Sequence, residues 1–164
     1  MVAIRPAEPR DVETIRSVAR RSWHAAYDEF LGPETVDRTV DEWYTLESLR
    51  AVIDGSDHVV SVAEDATSGL VGFAHVGPDP EDEGLAELYR IYVRPERWGE
   101  GTGSRLLADV TERIEGFDRL GLSVFAENEV GVDFYERQGF ERVEVRAIEF
   151  DGECYEEYRY ERDL

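Results

Sequence analysis

From Asp11 onward the apolar residues Val12, Ile15, Val18, Ala19, Trp23, Ala26, Tyr27 and Phe30 recur at spacings of three and four. That period predicts an amphipathic helix of about five turns, with Asp11 as its cap. Residues 2–5 ahead of it read as an opening strand. After Pro33, the positions Val36, Val40, Trp43, Leu46, Leu49 and Ile53 keep the helical period as a second helical stretch, with room for one break. The period then changes. Residues 58–64 and 70–76 are β-rich and joined by Asp65-Ala66-Thr67-Ser68-Gly69, a hairpin signal. Residues 85–93 form a further strand that Arg94-Pro95 closes. Leu106, Leu107, Val110 and Ile114 mark another amphipathic helix, and residues 120–125 a short apolar strand. Asn128 caps a last helix that stops at Gly139, a C′ glycine. Residues 141–150 and 154–161 are two final strands turning at Asp151-Gly152. The order β-α-α-β-β-β-α-β-α-β-β is that of an α/β chain whose neighbouring middle strands suggest antiparallel pairing.

Composition narrows the functional classes. The 164 residues are expected to form one domain, residues 1–164, long enough to bury a substantial core. Basic residues number 18 against 38 acidic ones, a net charge of −20, and lysine is absent, so every basic residue is arginine. Leu, Ile, Val and Phe still make up 42 residues, more than a disordered charged chain carries. The expectation is a folded domain with a very acidic surface. Such a surface is repelled by phosphate backbones and anionic lipid, which argues against nucleic acid or membrane as a partner. No apolar run approaches the roughly 20 residues of a membrane span, and the opening Met1-Val2-Ala3-Ile4-Arg5 lacks a signal-peptide apolar region. A cytoplasmic location is the default expectation. A single cysteine, Cys154, excludes an internal disulfide framework and a Cys-rich zinc site, and reads as a bystander in packing. His24, His58 and His75 lack metal-ligand spacing, so no metal is expected.

The chemistry concentrates between Leu88 and Leu107, a strand followed by a glycine-rich loop and a helix. Glycines at 99, 101 and 103 let backbone N–H groups converge on an anion, and the next helix adds its positive end. A pyrophosphate is the natural guest. A dinucleotide fingerprint would place its third glycine one residue later and start directly after the strand. A nucleotide P-loop needs Gly-Lys-Ser/Thr, which a lysine-free chain cannot supply. A plain flexible turn stays open on the loop alone.

Arg94-Pro95-Glu96, followed by Trp98-Gly99-Glu100-Gly101-Thr102-Gly103-Ser104, resembles the acyl-CoA-binding motif of the GNAT superfamily, the acyl-CoA-dependent N-acyltransferases. That motif, Gln/Arg-x-x-Gly-x-Gly/Ala, falls on Trp98, Gly101 and Gly103. Asn128, Tyr135 and Gly139-Phe140 resemble the family's second signature. Ile4-Arg5-Pro6-Ala7 with Asp11, and Ser22-Trp23 with Ala26-Tyr27, resemble common family features. The likeness covers essentially the whole chain. It implies a single-domain α/β (α+β) fold with a mixed, mostly antiparallel central sheet flanked by helices, whose splayed strands form an acyl-CoA cleft. Acetyl-CoA is the implied donor and an unidentified amine the acceptor. Dimers are common in the family, which leaves a homodimer open.

The resemblance also implies roles. Backbone groups of Ile91, Tyr92 and Val93 would pair with the pantetheine arm, one N–H polarising the thioester carbonyl. Backbone donors from Trp98, Gly99, Glu100, Gly101, Thr102, Gly103 and Ser104 would hold the pyrophosphate. Trp98 replaces the usual Gln or Arg and Glu100 stands where a base is common, so side-chain help must come from Arg97 or Arg105, or be absent. Tyr135 is the candidate general acid for the departing thiolate, set against a reading as a core aromatic of a short helix. Glu87, on one strand face with Tyr89, Ile91 and Val93, is the candidate general base, set against a solvated carboxylate. Asn128 is a cap worth about 1 kcal/mol and also a candidate pantetheine contact. Gly131, where relatives commonly carry alanine, costs the helix roughly 1 kcal/mol with no gain visible in the sequence. Trp23, Tyr27, Trp43 and Tyr44 fall where relatives line the acceptor pocket, although helical spacing makes Trp23 and Tyr27 core first. A non-catalytic acyl-CoA-binding module is the alternative from another class.

Acidic residues in every segment, with lysine missing throughout, resemble proteins of salt-loving organisms. In concentrated salt, screening over a few ångströms removes long-range steering, so the charge speaks to solvent more than to substrate. In dilute buffer the carboxylates repel one another. Melting curves recorded from dilute buffer to molar KCl are expected to show the fold lost or insoluble at the low-salt end; a flat melting temperature would contradict this.

Overall fold

The periodic stretches fold within a few residues of their expected places. The computed structural model describes residues 2–164. In chain order the elements are β1 (Val2–Pro6), α1 (Val12–Leu31), α2 (Pro33–Trp43), α3 (Leu46–Asp54), β2 (Val59–Asp65), β3 (Gly69–Pro78), β4 (Leu85–Val93), α4 (Thr102–Arg113), β5 (Arg119–Phe125), α5 (Glu129–Arg137), β6 (Glu141–Phe150) and β7 (Glu153–Asp163). The strands follow the hydrogen-bonded order β1-β2-β3-β4-β5-β7-β6. β1–β2, β2–β3, β5–β7 and β6–β7 are antiparallel, whereas β4 runs parallel to β5. The sheet is thus mixed and mostly antiparallel, as the family resemblance implied. The chain divides into two compact units, Met1–Gly77 with Tyr89–Glu115, and Pro78–Leu88 with Gly116–Leu164.

In the first unit, Val12, Ile15, Val18, Ala19, Trp23 and Tyr27 are all buried along one side of α1. Each such large side chain contributes about 1.5–3 kcal/mol by leaving water. The break in the second helical stretch falls at Tyr44, after which Thr45 caps α3 by accepting from the Ser48 N–H at 3.2 Å. β2 carries helices on both faces. Val60 shares a pocket with Ile15 of α1 and Leu49 of α3, while its neighbour Ser61 points the other way and donates to Asp109 of α4 at 2.6 Å. β3 is buried from Leu70 through Gly77, the signature of a strand covered on both faces.

Asp11 is placed differently from expectation. Its side chain makes no capping bond to α1. Instead both its oxygens accept from Arg5, at 2.8 and 3.0 Å, and Oδ2 also accepts from the Glu8 N–H at 2.8 Å. Arg5 reaches Glu64 of β2 as well, at 3.2 Å, so one guanidinium ties β1, the start of α1 and β2 together. The bidentate partner, out of local sequence range, outcompetes the local cap.

In the second unit, β5 is the buried strand, with Leu120, Leu122 and Val124 in its core. β6 and β7 form the final hairpin, turning at Asp151 and Gly152 with φ of 52° and 83°, the conformation an Asp-Gly hairpin turn requires. Cys154, expected to be packed, is exposed in β7.

Asp65 closes the β2–β3 turn. Its Oδ1 accepts from the N–H groups of Thr67 and Ser68, at 2.8 and 3.2 Å, and its Oδ2 from Arg97 at 3.1 Å. These bonds, the backbone ones foremost, hold its carboxyl at about 2 against an ordinary 3.8. A carboxylate held low stabilises the fold fully above its unfolded value and ceases to do so as pH falls through its folded one. The stability gap between wild type and Asp65→Asn is therefore expected to be constant above about pH 5 and to close between about pH 4 and 2. Chemical denaturation of both proteins across that range measures it; a gap independent of pH would refute the assignment.

Candidate active site

In the first unit β4 ends at Val93, and the Pro95–Arg97 turn leads into the glycines. Gly99 and Gly101 have φ of 83° and 85°, the left-handed region that side chains avoid. Gly103 is ordinary helix inside the first turn of α4. Gly101 caps α4, so the cap residue offers no side chain to the first N–H groups of that helix. The Thr102 and Gly103 N–H groups have no partner within the helix and lie at its positive end, an arrangement suited to an anion. The loop can cradle a phosphate by backbone alone.

Side chains around the loop are partly committed. Arg97 donates to Glu100 at 2.9 Å and to Asp65 at 3.1 Å, and Arg105 donates to the Val2 carbonyl at 2.8 Å. Arg97 is thus engaged with two carboxylates, whereas Arg105 makes a single bond to a neutral carbonyl and keeps further donors. Arg97 pairs with Glu100 and offsets part of its charge, one guanidinium being shared between Glu100 and Asp65. Trp98 is 41% exposed and braces the strand end, its indole N–H donating to the Val93 carbonyl at 2.8 Å. Ser22 donates to the same oxygen at 3.1 Å. Both lone pairs of that carbonyl are taken, so of Val93 only the N–H is left for a ligand. Ile91 and Tyr92 precede it, half-buried. A Cβ at Gly72 would lie 2.9 Å from the Tyr92 carbonyl, so β3 can approach this part of β4 only through a glycine.

The aromatic candidates of this unit sort by burial. Trp23, Tyr27 and Tyr44 are core, with the Trp23 indole donating to the Tyr44 hydroxyl at 3.3 Å. Burial raises the Tyr44 phenol to about 12, although Arg90 lies over its ring at 4.4 Å. Trp43 is 48% exposed. The sequence missed a histidine pair: His58 and His75 meet at 2.9 Å, and His75 stacks on Tyr89. Burial, with Arg90 and His58 adding to it, lowers His75 to about 3, so its ring is neutral. The signal was available in the hairpin register, which pairs Val60 with His75 and sets His58 against Gly77, where a Cβ would strike its ring.

The second unit holds Glu87, Asn128 and Tyr135. Glu87 lies on β4 where that strand pairs with β5, opposite Gly121. It is not a solvated carboxylate. Arg159 of β7 reaches across β5 and grips both its oxygens, at 2.6 and 2.7 Å. A Cβ at Gly121 would stand 2.5 Å from the Arg159 Nη2, so glycine opens the path for the guanidinium. Burial raises the Glu87 carboxyl above its ordinary value and outweighs Arg159, which pulls it down.

Asn128 caps α5 as expected, accepting from the Gly131 N–H at 3.0 Å. The cap explains Gly131: an alanine Cβ there would lie 2.6 Å from the Asn128 Nδ2. The helix ends as a Schellman motif, with the Phe140 N–H donating to the Tyr135 carbonyl and the Gly139 N–H to that of Glu136. Tyr135 and Phe140 pack edge to face across it at 6.0 Å, leaving Tyr135 half-buried and not sunk in the core. Glu136 accepts from the Tyr160 hydroxyl at 2.7 Å, and Arg162 donates to the Gln138 carbonyl at 2.8 Å. These two bonds to β7 fix α5, and with it the ring of Tyr135. Among the described residues no cluster of His, Cys, Asp and Glu is arranged to hold a metal ion.

Known proteins resemble the chain over this same span. Residues 18–140 match the model of the Acetyltransferase (GNAT) family. The uncharacterized N-acetyltransferase YuaI of Bacillus subtilis is 32% identical, covering 93% of this chain and 87% of its own length. The spermidine N(1)-acetyltransferase of Thermoplasma acidophilum is 29% identical, covering 91% and 94%. The solved structure of the paia N-acetyltransferase from Thermoplasma acidophilum, in complex with coenzyme A, superposes with a TM-score of 0.83 at 28% identity, covering 100% of this chain and 99% of that one.

The Arg159–Glu87 pair yields a prediction. Gly121→Ala should displace the guanidinium and leave a largely buried carboxylate short of its partner, destabilising the protein by about 1–3 kcal/mol. The Glu87 carboxyl should titrate higher still. Denaturant melts and a carbon-13 titration of Glu87 check both; unchanged values would mean the pair does not depend on the glycine.

Proposed function

The chain belongs to the acetyltransferase (GNAT) family, and on that premise we propose how its own residues divide the work of acetyl transfer. Acetyl-CoA is the donor. The observation that carries the reading is the strand, glycine loop and glycine-capped helix start of residues 91–104, which offers backbone donors in series to an extended, phosphate-bearing thioester. Ile91 and Tyr92, with the Val93 N–H, pair with the pantetheine arm, and one of these N–H groups polarises the thioester carbonyl. Backbone groups from Trp98 to Ser104 bind the pyrophosphate. Asn128, besides capping α5, is the candidate side-chain contact for the pantetheine arm.

The acceptor amine attacks the thioester directly. It must first be neutral, because an ammonium has no lone pair to donate. Glu87 takes that proton through water. Its two oxygens keep one lone pair each after Arg159 is bound, and burial favours the protonated carboxyl. As the tetrahedral intermediate collapses, the Tyr135 hydroxyl protonates the departing CoA sulfur. No covalent acyl-enzyme is involved, since no nucleophile with an adjacent base stands out. The acceptor is a primary amine, and polyamines are the first class to test. The full-length similarity to a spermidine N(1)-acetyltransferase supports that choice. The protein works in the cytoplasm of a salt-adapted cell, a reading supported by its charge of −20 and its lack of lysine.

Following free-thiol release from acetyl-CoA over a panel of amines in high salt tests the activity. Turnover on at least one amine is expected, whereas acetyl-CoA binding without turnover on any would favour a non-catalytic binding module. Tyr135→Phe should lower kcat by about 10²-fold or more and leave acetyl-CoA affinity unchanged. An unchanged rate across pH would remove Tyr135 from the mechanism. Glu87→Gln should flatten the rising limb of the pH–rate profile; a variant with the full profile would eliminate Glu87.

A further inference from the structure

A second concavity in the first unit has no part in the acetyl-transfer scheme. It is about 380 Å³, and one wall is a single stripe of α1 and the turn before it, where Arg10, Thr14, Ser17 and Arg21 follow one another at helical spacing. Ser68 of the β2–β3 turn and Arg94, just past β4, complete it. None of its lining residues belongs to the glycine loop. In a chain with more than two carboxylates per arginine, three guanidiniums around one hollow are an exception.

The hydrogen bonds show what kind of guest fits. The two carboxylates of the wall, Asp11 and Glu64, both face Arg5, which bonds both oxygens of each. The arginines of the wall are less fully matched. Arg21 and Arg94 converge on one oxygen of Glu96, each through an Nη2 at 2.8 Å; Arg94 adds its Nε to that oxygen at 3.2 Å and a weaker Nη1 bond to the Ser68 carbonyl. Arg10 uses only its Nε, toward Glu8. A guanidinium has five N–H donors, so all three keep uncommitted donors beside the hollow, and the hydroxyls of Thr14, Ser17 and Ser68 add more. The wall has surplus donors and occupied acceptors. Glu96, shared by Arg21 and Arg94, holds the two forks side by side while supplying one negative charge for two positive ones.

We propose that this hollow is an oxyanion site and that its guest is a phosphate monoester group. Such a group carries up to two charges and three terminal oxygens, which matches a pair of adjacent guanidiniums better than one carboxylate does. The group can belong to a separate small molecule or to the 3′-phosphate of coenzyme A itself. Either way Glu96 couples the site to catalysis, because it sits in the Pro95–Arg97 turn that leads directly into the glycine loop.

Thermal melts with inorganic phosphate, at fixed ionic strength in KCl, test the site on protein with and without saturating coenzyme A. Arg21→Gln is half-exposed and outside the core, so it should fold, and Ser17→Asp blocks the same wall by charge. If the guest is a separate molecule, phosphate raises the melting temperature of the coenzyme-saturated protein. Each variant then weakens that effect by about tenfold or more. If the guest is the coenzyme's own phosphate, only the coenzyme-free protein responds. Wild type then binds coenzyme A more tightly than dephospho-coenzyme A, and Arg21→Gln does not distinguish them. No response to phosphate in either state, or a response that both variants retain in full, overturns the proposal.

Discussion

A shortage of cations is the constraint from which the shared ion pairs of this structure follow. With 38 carboxylates and 18 arginines, one-to-one pairing is impossible, and several guanidiniums are placed so that each holds two acids. Arg5 joins Asp11 and Glu64, Arg20 joins Asp37 and Asp41, Arg97 joins Asp65 and Glu100, and Arg119 joins Asp82 and Glu161. Arginine suits this task, because its planar fork presents several donors in fixed directions where an ammonium offers a compact point charge. The exposed bridges are individually weak. Their shared effect is geometric: they pin turns and strand ends whose backbone must be in register for the loop and the strand beside it to work.

Glycine supplies the complementary device. At Gly99 and Gly101 it provides left-handed backbone, and there its role could be read from spacing alone. At Gly72, Gly121 and Gly131 it provides room: for a strand to approach the end of β4, for Arg159 to cross β5, and for Asn128 to close over the start of α5. These three positions have ordinary backbone angles. Their need for glycine comes from a partner far away in sequence, or from a side chain folding back, neither of which a linear pattern displays.

That difference marks how far the sequence could be read. Helices and strands were legible because their periods are local, and so were the Asn128 cap and the Gly139 stop, each decided within a few residues. The glycine loop was legible as left-handed backbone leading into a helix start for the same reason. Asp11 was not, since its cap position was plain but the competing fork from Arg5, which Glu64 also holds, needed the strand register. Glu87 could be singled out as a strand-face carboxylate, yet its grip by Arg159 lies 72 residues away and depends on which strand separates them. The loss of the Val93 carbonyl to Trp98 and Ser22 was hidden likewise, because two side chains from opposite directions had to be placed before it could be seen.

The arginine bridges carry one more implication. Were they built from lysine, each would present a primary amine, the functional group to which this family hands acetyl groups, and every stray transfer would erase a cation from a chain already short of them. A guanidinium stays protonated and offers no such amine. With no lysine anywhere in its sequence, the protein has no side chain on which its own chemistry could be turned, and its cross-links hold whatever the concentration of the reactive thioester around it.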